Sequence, residues 1–513
     1  MITTAVLICR DLLGPSMLDP LSLAETLGAA QDRVAVIDRL CAAPASAGRA
    51  VARLGARRAV VAVCDHGAQL ETLAARLGRS GLDPLGMEPI VLGPVLAGDD
   101  GVSRAGRLVR AGLARLDAGP RDDPATTRLR FADGPVDRRA LLTLPPVRYT
   151  PVAAVDETTC VGTERCGHCV TICPFSAITT TEGRARVERT SCASCGLCLS
   201  ACPASAITLP GASLAEHEAG LLAADIEGNA LAFVCERAAA RLAYDEIPPP
   251  WLPIEVPCAG MVTPGWILQG FAAGAGDVAV VACGEDCRCS AAVQVDAAVE
   301  IARDALALTG IDRDRVHTSR TDRRDALGVF AEPVAEAIAG IVPGPVVLRE
   351  PLATTSAVTA IASALGTGSD TQLETRRTPS IGIVDASATA CTLCGACPTA
   401  CPTGALRLDE DQGTSRLEFD PARCWACSSC ISICPESALT LRPGIDLAAL
   451  LVGPTALVED TIARCARCDA PIGPRSMLER VVALIDDDNA MLRVAVTERC
   501  VDCRGLVGPS SLP

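Results

Sequence analysis

The chemistry available to this chain is concentrated in cysteine side chains. It has 28 cysteines, and four short runs that each end in Cys-Pro hold four apiece. Residues 391–402 and 424–435 share the spacing C-x2-C-x2-C-x3-C-P, and residues 192–203 repeat it. Residues 160–174 differ only in a longer first gap of five residues. Thiolates at this spacing bind iron in clusters, because three come from one tight loop and the fourth from the adjoining helical turn.

Two such runs in succession are typical of bacterial two-cluster ferredoxins, in which the fourth Cys of each run binds the cluster of the other run. The sequence therefore predicts four [4Fe–4S] clusters in two ferredoxin-like modules, residues 149–212 and 381–445. The lengthened first gap leaves Cys160 as the least regular ligand. The predicted ligand sets are Cys160, Cys166, Cys169 and Cys202; Cys173, Cys192, Cys195 and Cys198; Cys391, Cys394, Cys397 and Cys434; and Cys401, Cys424, Cys427 and Cys430.

Five further cysteines follow short apolar segments in residues 226–350. Apolar segments that alternate with helical periodicity predict an α/β domain with a parallel sheet covered on both faces. Three of these segments, 231–235, 254–258 and 278–283, each end on a cysteine. Because the carboxyl ends of parallel strands meet at one sheet edge, we expect a second type of cluster that uses four of the five thiols. The five are Cys235, Cys258, Cys283, Cys287 and Cys289.

Residues 1–148 show the same alternation and predict a second parallel-sheet α/β domain. Its expected strands are 5–9, 34–38, 59–64 and 90–92, with a helix at 69–78. Cys9 and Cys64 end two of these strands, and Cys41 follows a third. Three thiolates leave a cluster one ligand short, so a cluster site and buried core thiols are both open interpretations.

Two CxxC pairs, Cys465/Cys468 and Cys500/Cys503, lie in the predicted C-terminal element, residues 446–513. Two such turns form a tetrahedral four-sulfur site that suits zinc. The pairs, with a helix expected at 476–485, predict a zinc-ribbon-like clamp; an iron–sulfur cluster and free thiols are the alternatives. Residues 442–458 are apolar and are expected to pack back on the preceding module, and residues 351–380 are predicted to be a linker.

Three segments carry a resemblance: Phe-Val-Cys at 233–235, the run 256–262 around Cys258, and Ala-Cys-Gly-Glu-Asp-Cys at 282–287. Over about residues 229–335 the chain resembles the delta subunit of methyl-viologen-reducing hydrogenase, the hydrogenase iron–sulfur subunit family. The resemblance implies a [2Fe–2S] centre that passes electrons between a hydrogenase or formate dehydrogenase and heterodisulfide reductase. Ala238 stands where that family has a second cysteine, and Cys289 is extra.

A second resemblance concerns the N-terminal segment. Residues 7–10, 61–64 and 80–84 are similar to the N-terminal domain of heterodisulfide reductase A, whose flavin domain this chain lacks. No strand–GxGxxG–helix unit occurs, so neither flavin nor NAD is predicted in this chain.

The charge and composition exclude several other classes of function. The formal net charge is −15, and all 46 basic residues are arginine, which excludes a P-loop or Schiff-base lysine. Nucleic acid is not an expected partner, because binding it requires a basic face. Residues 1–5 lack a basic signal-peptide start, and no apolar run approaches the ~20 residues of a membrane span. We therefore expect a cytoplasmic protein without a transmembrane segment.

These observations predict an electron-relay subunit of an oxidoreductase complex, with no independent substrate site. Its expected partners are other subunits, of hydrogenase, formate dehydrogenase, heterodisulfide-reductase or flavoprotein type. The alternative is a catalytic iron–sulfur subunit with its own thiol or disulfide site near Cys235–Cys289. A cluster-bearing regulatory or nucleic-acid protein is a third class, against which the acidic charge argues.

Overall fold

The computed structural model separates the chain into two units, Met1–Thr367 and Gly368–Pro513. Among the described residues, no helix has both the length and the hydropathy of a membrane span. The structure describes residues 4–13, 20–27, 33–40, 45–64, 69–83, 85–92, 100–119, 126–131, 147–164, 166–242, 248–284, 287–321, 330, 334–341, 345–367, 372–374, 381–411, 413–486 and 488–504.

The first unit begins with a four-stranded parallel sheet in the order β2-β1-β3-β4. Strands β1 and β3 are buried along their whole length, which explains their uninterrupted apolar sequence. The parallel-sheet domain predicted for this region is therefore confirmed. Its elements are β1 (Thr4–Cys9), α1 (Pro20–Thr26), β2 (Val34–Ile37), α2 (Ala45–Leu54), β3 (Arg58–Val63), α3 (Gln69–Arg79), β4 (Met87–Val91) and α4 (Gly101–Ala118).

A ferredoxin-like segment follows, built from short antiparallel pairs and two short helices. Strands β5 and β6 form one pair, β8 and β9 a second, and β10 returns to pair with β7 near the start of the segment. The elements are β5 (Thr127–Phe131), β6 (Val147–Pro151), β7 (Ala154–Val155), α5 (His168–Ile172), β8 (Ile178–Thr181), β9 (Arg184–Val187), α6 (Leu197–Ser200) and β10 (Ile207–Thr208).

The second parallel sheet has the strand order β12-β11-β13-β14. Counted from the first strand of each domain, this is the same order, second-first-third-fourth, as in the N-terminal sheet. The two domains therefore share one sheet topology. The elements are α7 (Leu214–Ala224), β11 (Ala230–Cys235), α8 (Glu236–Ala239), β12 (Trp251–Val256), α9 (Pro264–Ala272), β13 (Val278–Ala282), α10 (Ala292–Leu308), β14 (Val316–Arg320) and α11 (Leu352–Leu365).

Two arginines of α4, the buried Arg104 and the half-buried Arg115, bind residues that follow the first α/β domain. Arg104 has no exposed surface, and its Nη2 donates to the carbonyl oxygen of Trp251 at 2.8 Å. Arg115 donates to the carbonyl oxygen of Gly211 at 2.7 Å and pairs with Glu88 at 3.3 Å. The first unit is thus held together by charged side chains as well as by apolar packing.

Helix α11 corrects the prediction that residues 351–380 form a linker. Its small residues bury one face against α9, where Gly265 leaves no room for a Cβ beside Ala353. Trp266 Nε1 donates to the Leu348 carbonyl at 3.0 Å, so residues before the helix are also bound to α9. The Thr/Ser/Ala-rich composition that suggests a linker is instead the composition of a close helix–helix contact.

A fully buried carboxyl group anchors this contact. Glu350 accepts hydrogen bonds from the backbone N–H of Gly265 (2.7 Å) and from the hydroxyl group of Thr354 (3.0 Å), and burial raises its pKa. We expect Glu350→Ala to lower the free energy of unfolding of the first unit by about 3 kcal/mol, because both donors then stay buried without this acceptor. Urea titration measures the change. Glu350→Gln, which keeps the accepting oxygen, is the control, and an equal loss in both variants would contradict this account.

The second unit contains two antiparallel sheets, ordered β15-β19-β16 and β17-β18-β20-β21. Its first part is the second ferredoxin-like segment. The elements are β15 (Gln372–Glu374), β16 (Gly382–Ala386), α12 (Ala396–Ala400), β17 (Leu406–Glu410), β18 (Thr414–Phe419), α13 (Ser429–Ile433), β19 (Leu439–Asp446), α14 (Leu447–Val452), β20 (Thr455–Arg464), β21 (Pro471–Pro474), α15 (Arg475–Val482) and α16 (Ala490–Glu498).

Strand β20 lies within the predicted C-terminal element, residues 446–513, but belongs to the sheet of the ferredoxin-like segment. It pairs with β18 of that segment over Thr455–Thr461 and then with β21 over Ile462–Arg464. Arg480 of α15 also pairs with Glu436 at 2.9 Å. One continuous sheet therefore contains both parts of the second unit.

Candidate iron–sulfur and metal centres

Each of the four cysteine runs forms a loop with a left-handed residue directly after its second cysteine. This residue is Gly167, Gly196 or Gly395 in three loops, with φ of 74°, 80° and 75°. In the fourth loop it is Ser428, with φ of 62°. The reversal turns the chain into the short helix that carries the third cysteine of each run. Glycine is favoured here because it adopts positive φ without strain.

In the first ferredoxin-like segment, the fourth thiol of one run lies with the first three of the other. A cavity of about 380 Å³ is lined by Cys160, Cys166, Cys169 and Cys202. Burial raises the pKa of Cys198 well above its usual value, and the neighbouring thiols Cys195, Cys192, Cys169 and Cys173 add to the effect. The structure therefore brings Cys173 close to the 192–198 loop and Cys202 close to the 160–169 loop.

The second segment has the same exchange. A cavity of about 380 Å³ is lined by Cys391, Cys394, Cys397 and Cys434. Burial raises the pKa of Cys424 to about 12, and Cys430, Cys401 and Cys427 are the thiols whose charges add to this shift.

The fourth cysteine of a run also receives a backbone hydrogen bond. The amide of the residue four positions later donates to the sulfur of Cys173, Cys202 and Cys434, at 3.3 Å in each case. Amide donors to a ligand sulfur favour the more negative, reduced form of a cluster and so raise its potential. These amides are functional groups that motif spacing does not reveal.

In the second α/β domain, four thiols line one cavity at the carboxyl edge of the parallel sheet. The cavity measures about 260 Å³, and small apolar side chains and Arg320 complete its wall. Cys235 ends β11, Cys283 follows β13, and Cys258 follows β12 by two residues. The four thiols are Cys235, Cys258, Cys283 and Cys287.

Cys289 does not line this cavity. Its sulfur lies within 4.8 Å of the sulfur atoms of Cys258 and Cys287. It also forms thiol–thiol hydrogen bonds with Cys258 and with Cys195 of the ferredoxin-like segment. The five cysteines predicted for this site are therefore near one another, and a sixth, Cys195, joins them from another domain.

In the N-terminal domain, Cys9 and Cys64 lie with their sulfur atoms 3.7 Å apart. Cys9 ends β1 and Cys64 directly follows β3, just as Cys235 ends β11 and Cys283 directly follows β13 in the second α/β domain. The shared strand order makes the two pairs topologically equivalent. Cys41 lies outside the described residues.

The four C-terminal cysteines form a much tighter group than the ferredoxin-type sets. All four sulfur atoms lie within 4.8 Å of one another, with Cys468 at 3.5 Å from Cys500 and 3.7 Å from Cys503. A tetrahedral ion with Zn–S bonds of about 2.3 Å requires sulfur separations of about 3.8 Å. In the described parts of the chain, no other four thiols are grouped this closely. The spacing fits one ion rather than a multi-iron cluster.

The donor chemistry of the larger sites fits iron–sulfur clusters. Burial raises the pKa of Cys397 to about 12 and that of Cys169 to about 11, with neighbouring thiols contributing in both cases. Four such thiolates around an apolar cavity repel one another unless they share bound cations. Iron supplies that charge, and the cavity provides space for more than one metal ion.

Comparison with protein families agrees with this reading of the sites. Residues 230–341 match the family model described as methyl-viologen-reducing hydrogenase, delta subunit. Residues 153–203 and 390–438 each match a 4Fe–4S dicluster domain. No curated protein matches the chain. The predicted delta-subunit and ferredoxin resemblances are confirmed, whereas the heterodisulfide-reductase-like N-terminus and the zinc-ribbon-like tail stay predictions.

These matches support an electron-transfer role. The chain carries, in order, a segment similar to a 4Fe–4S dicluster domain, a segment of the delta-subunit type of methyl-viologen-reducing hydrogenase, and a second dicluster-type segment.

Proposed function

We propose that this chain is an iron–sulfur electron-transfer subunit of a multisubunit oxidoreductase complex. The observation that carries the proposal is the lining of three cavities. The cavity at the carboxyl edge of the second parallel sheet and the cavity in each ferredoxin-like segment are lined by four thiols apiece. Full thiolate ligation leaves no open coordination position for a substrate, which suits a relay. Iron–sulfur clusters bound at these positions supply one-electron redox chemistry.

Four of these centres are [4Fe–4S] clusters with the exchanged ligand sets predicted from the spacing. The cavity of the second α/β domain takes a smaller centre, a [2Fe–2S] cluster on Cys235, Cys258, Cys283 and Cys287. The lining of that cavity by these four thiols at the carboxyl edge of the sheet supports a centre separate from the ferredoxin-type clusters. Arg320 in its wall is paired with Asp296 at 2.6 Å, so its positive charge is balanced beside this centre.

The C-terminal group takes a zinc ion, which the sulfur separations of 3.5 and 3.7 Å support. Cys9 and Cys64 take a further cluster together with Cys41. The support for that site is their equivalence to Cys235 and Cys283 at the same strand ends.

The electron donor is a hydrogenase or formate dehydrogenase type of enzyme, and the acceptor is a heterodisulfide-reductase-like or flavin-containing protein. The delta-subunit match supports a place beside a hydrogenase. The net charge of −15 supports docking onto a basic patch of the partner.

Purification of the untagged native complex under anaerobic conditions tests this function. We expect subunits of one of these partner types to co-purify, and hydrogen or formate to reduce the clusters of the chain only in their presence. A chain that purifies alone and itself reduces a disulfide substrate would support the catalytic alternative near Cys235–Cys289 instead.

The metal content of the isolated chain gives a second prediction. The four [4Fe–4S] clusters require about sixteen iron and sixteen acid-labile sulfide atoms per chain, and the smaller centre adds about two of each. We expect Cys283→Ala to lose about two iron atoms and keep the rest. Val293→Ala, at an exposed position in the following helix, is the control. A content of about ten iron atoms or fewer in the unsubstituted chain would contradict one whole ferredoxin-like module.

A further inference from the structure

Cys289 is the cysteine of the second α/β domain that the four-thiol cavity leaves out. Cys258 and Cys287 line the cavity, and the sulfur of Cys289 lies close to both of theirs. Cys287 lines the cavity and Cys289, two residues later, does not, although their sulfur atoms lie within 4.8 Å of each other. The extra thiol therefore has a different environment from the four that line the site.

That environment is a contact with the first ferredoxin-like segment. Leu197, Cys258 and Ala291 form a small buried cluster, against which Cys195, Cys287 and Cys289 pack. The three buried members are 1–2% exposed. Cys195 belongs to the exchanged set with Cys173, Cys192 and Cys198, whereas Cys258 belongs to the cavity of the α/β domain. Cys289 is hydrogen-bonded to both.

The backbone around this contact is closely fitted. Gly196 follows Cys195 with φ of 80° and faces the side chain of Met261, which leaves no room for a Cβ. Met261 ends the short 3-10 helix Ala259–Met261 that follows Cys258. Both loops are therefore fixed against each other directly beside the three thiols.

We propose that Cys289 binds neither of two neighbouring clusters and instead bridges them. Its thiol contacts Cys195, a ligand of the 192–198 cluster, and Cys258, a ligand of the cluster in the second α/β domain. This inference rests on the proposed function, because it requires iron–sulfur clusters at both sites. One sulfur atom then joins Cys195 to Cys258 through a buried, apolar junction. The junction makes the 192–198 cluster, rather than the 160–169 cluster, the one that exchanges electrons with the α/β domain.

The role of such a thiol is to position both ligand sulfurs by contact and to donate its single S–H to one of them. A hydrogen bond to a ligand sulfur stabilises the reduced cluster, and groups that orient ligands commonly affect activity by one to two orders of magnitude when they are removed. Cys289→Ala removes the contact to both sulfurs at once. Cys289→Ser keeps a donor of similar size at the same place.

The experiment compares the full-length chain with Cys289→Ala, Cys289→Ser and the ligand variant Cys283→Ala. We expect Cys289→Ala to retain all its iron, to lower the midpoint potential of the centre whose ligand sulfur accepts the Cys289 S–H in EPR-monitored titration, and to slow electron transfer between the centres about tenfold after flash reduction. Cys289→Ser is expected to recover most of both effects. Val293→Ala, an exposed neighbour, is expected to match the unsubstituted chain.

Each contrary result has a distinct meaning. Loss of the same iron as in Cys283→Ala would show that Cys289 is a ligand and overturn the bridging role. Full iron with unchanged potentials and rates in both Cys289 variants would also overturn it. Absence of iron from the α/β domain of the unsubstituted chain would instead contradict the proposed function itself.

Discussion

Replacing Cys434 by alanine is expected to abolish the cluster of the 391–397 loop, although Cys434 belongs to the other cysteine run. The structure places Cys434 in the cavity lined by Cys391, Cys394 and Cys397. A cluster that lacks one of its four thiolates at this site does not assemble stably, so we expect a loss of about four iron atoms per chain. Iron and sulfide analysis and the EPR signal of the reduced chain measure the effect.

Two double variants show which cluster is lost. Cys434→Ala combined with Cys391→Ala is expected to lose the same four or so iron atoms as either single variant, because both residues bind one cluster. Cys434→Ala combined with Cys424→Ala is expected to lose about eight, because the two residues bind different clusters. The reverse pattern would show that each run binds its own cluster and would contradict the exchanged ligand sets.

Replacing Cys500 by alanine is expected to release the C-terminal ion and to unfold the element that it holds. The four thiols come from two turns that are otherwise joined only through short strands and helices. Binding of structural zinc to small peptides contributes roughly 10–16 kcal/mol to the free energy of folding. We therefore expect the zinc content to fall from about one atom to none, with loss of hydrogen-exchange protection in α15 and α16. The iron of the ferredoxin-like segment is expected to remain.

Val501→Ala is the matched control, because Val501 lies between the two cysteines of the same turn and is 79% exposed. It is expected to retain the ion and the protection. Iron instead of zinc in the chain purified without added metal would support the iron alternative. Unchanged metal content in Cys500→Ala would contradict a four-thiolate site.

Local sequence rules are sufficient where function depends on spacing along the chain. The spacing of the four Cys-Pro runs predicts which thiols share a cluster, because a loop of seven residues has few ways to surround one. Seven of the eight strands described in the two parallel sheets are likewise predicted within three residues at either end, since buried parallel strands need continuous apolar sequence. The eighth, Val316–Arg320, carries polar residues such as His317 and is not predicted.

Sequence rules fail where distant segments meet. The contact between Cys195 and Cys289 joins residues 94 positions apart, and nothing in the spacing of either motif points to the other. The equivalence of Cys9 and Cys64 to Cys235 and Cys283 depends on strand order, which apolar segments alone do not determine. Helix α11 falls in the predicted linker because its small residues, such as Ala353 and Thr354, pack against Gly265 in a contact that only tertiary structure reveals.

The sheet that contains strands from both sides of residue 446 has a consequence for the exposed strand edges of the second unit. Strand β18 pairs with β17 on one side and with β20 on the other. Without β20, β18 would present a row of unpaired backbone N–H and C=O groups, which is the usual template for intermolecular strand pairing. The C-terminal element thereby covers a strand edge of the second ferredoxin-like segment that would otherwise be open to pairing. A chain cut at the boundary suggested by its cysteine motifs would expose that edge.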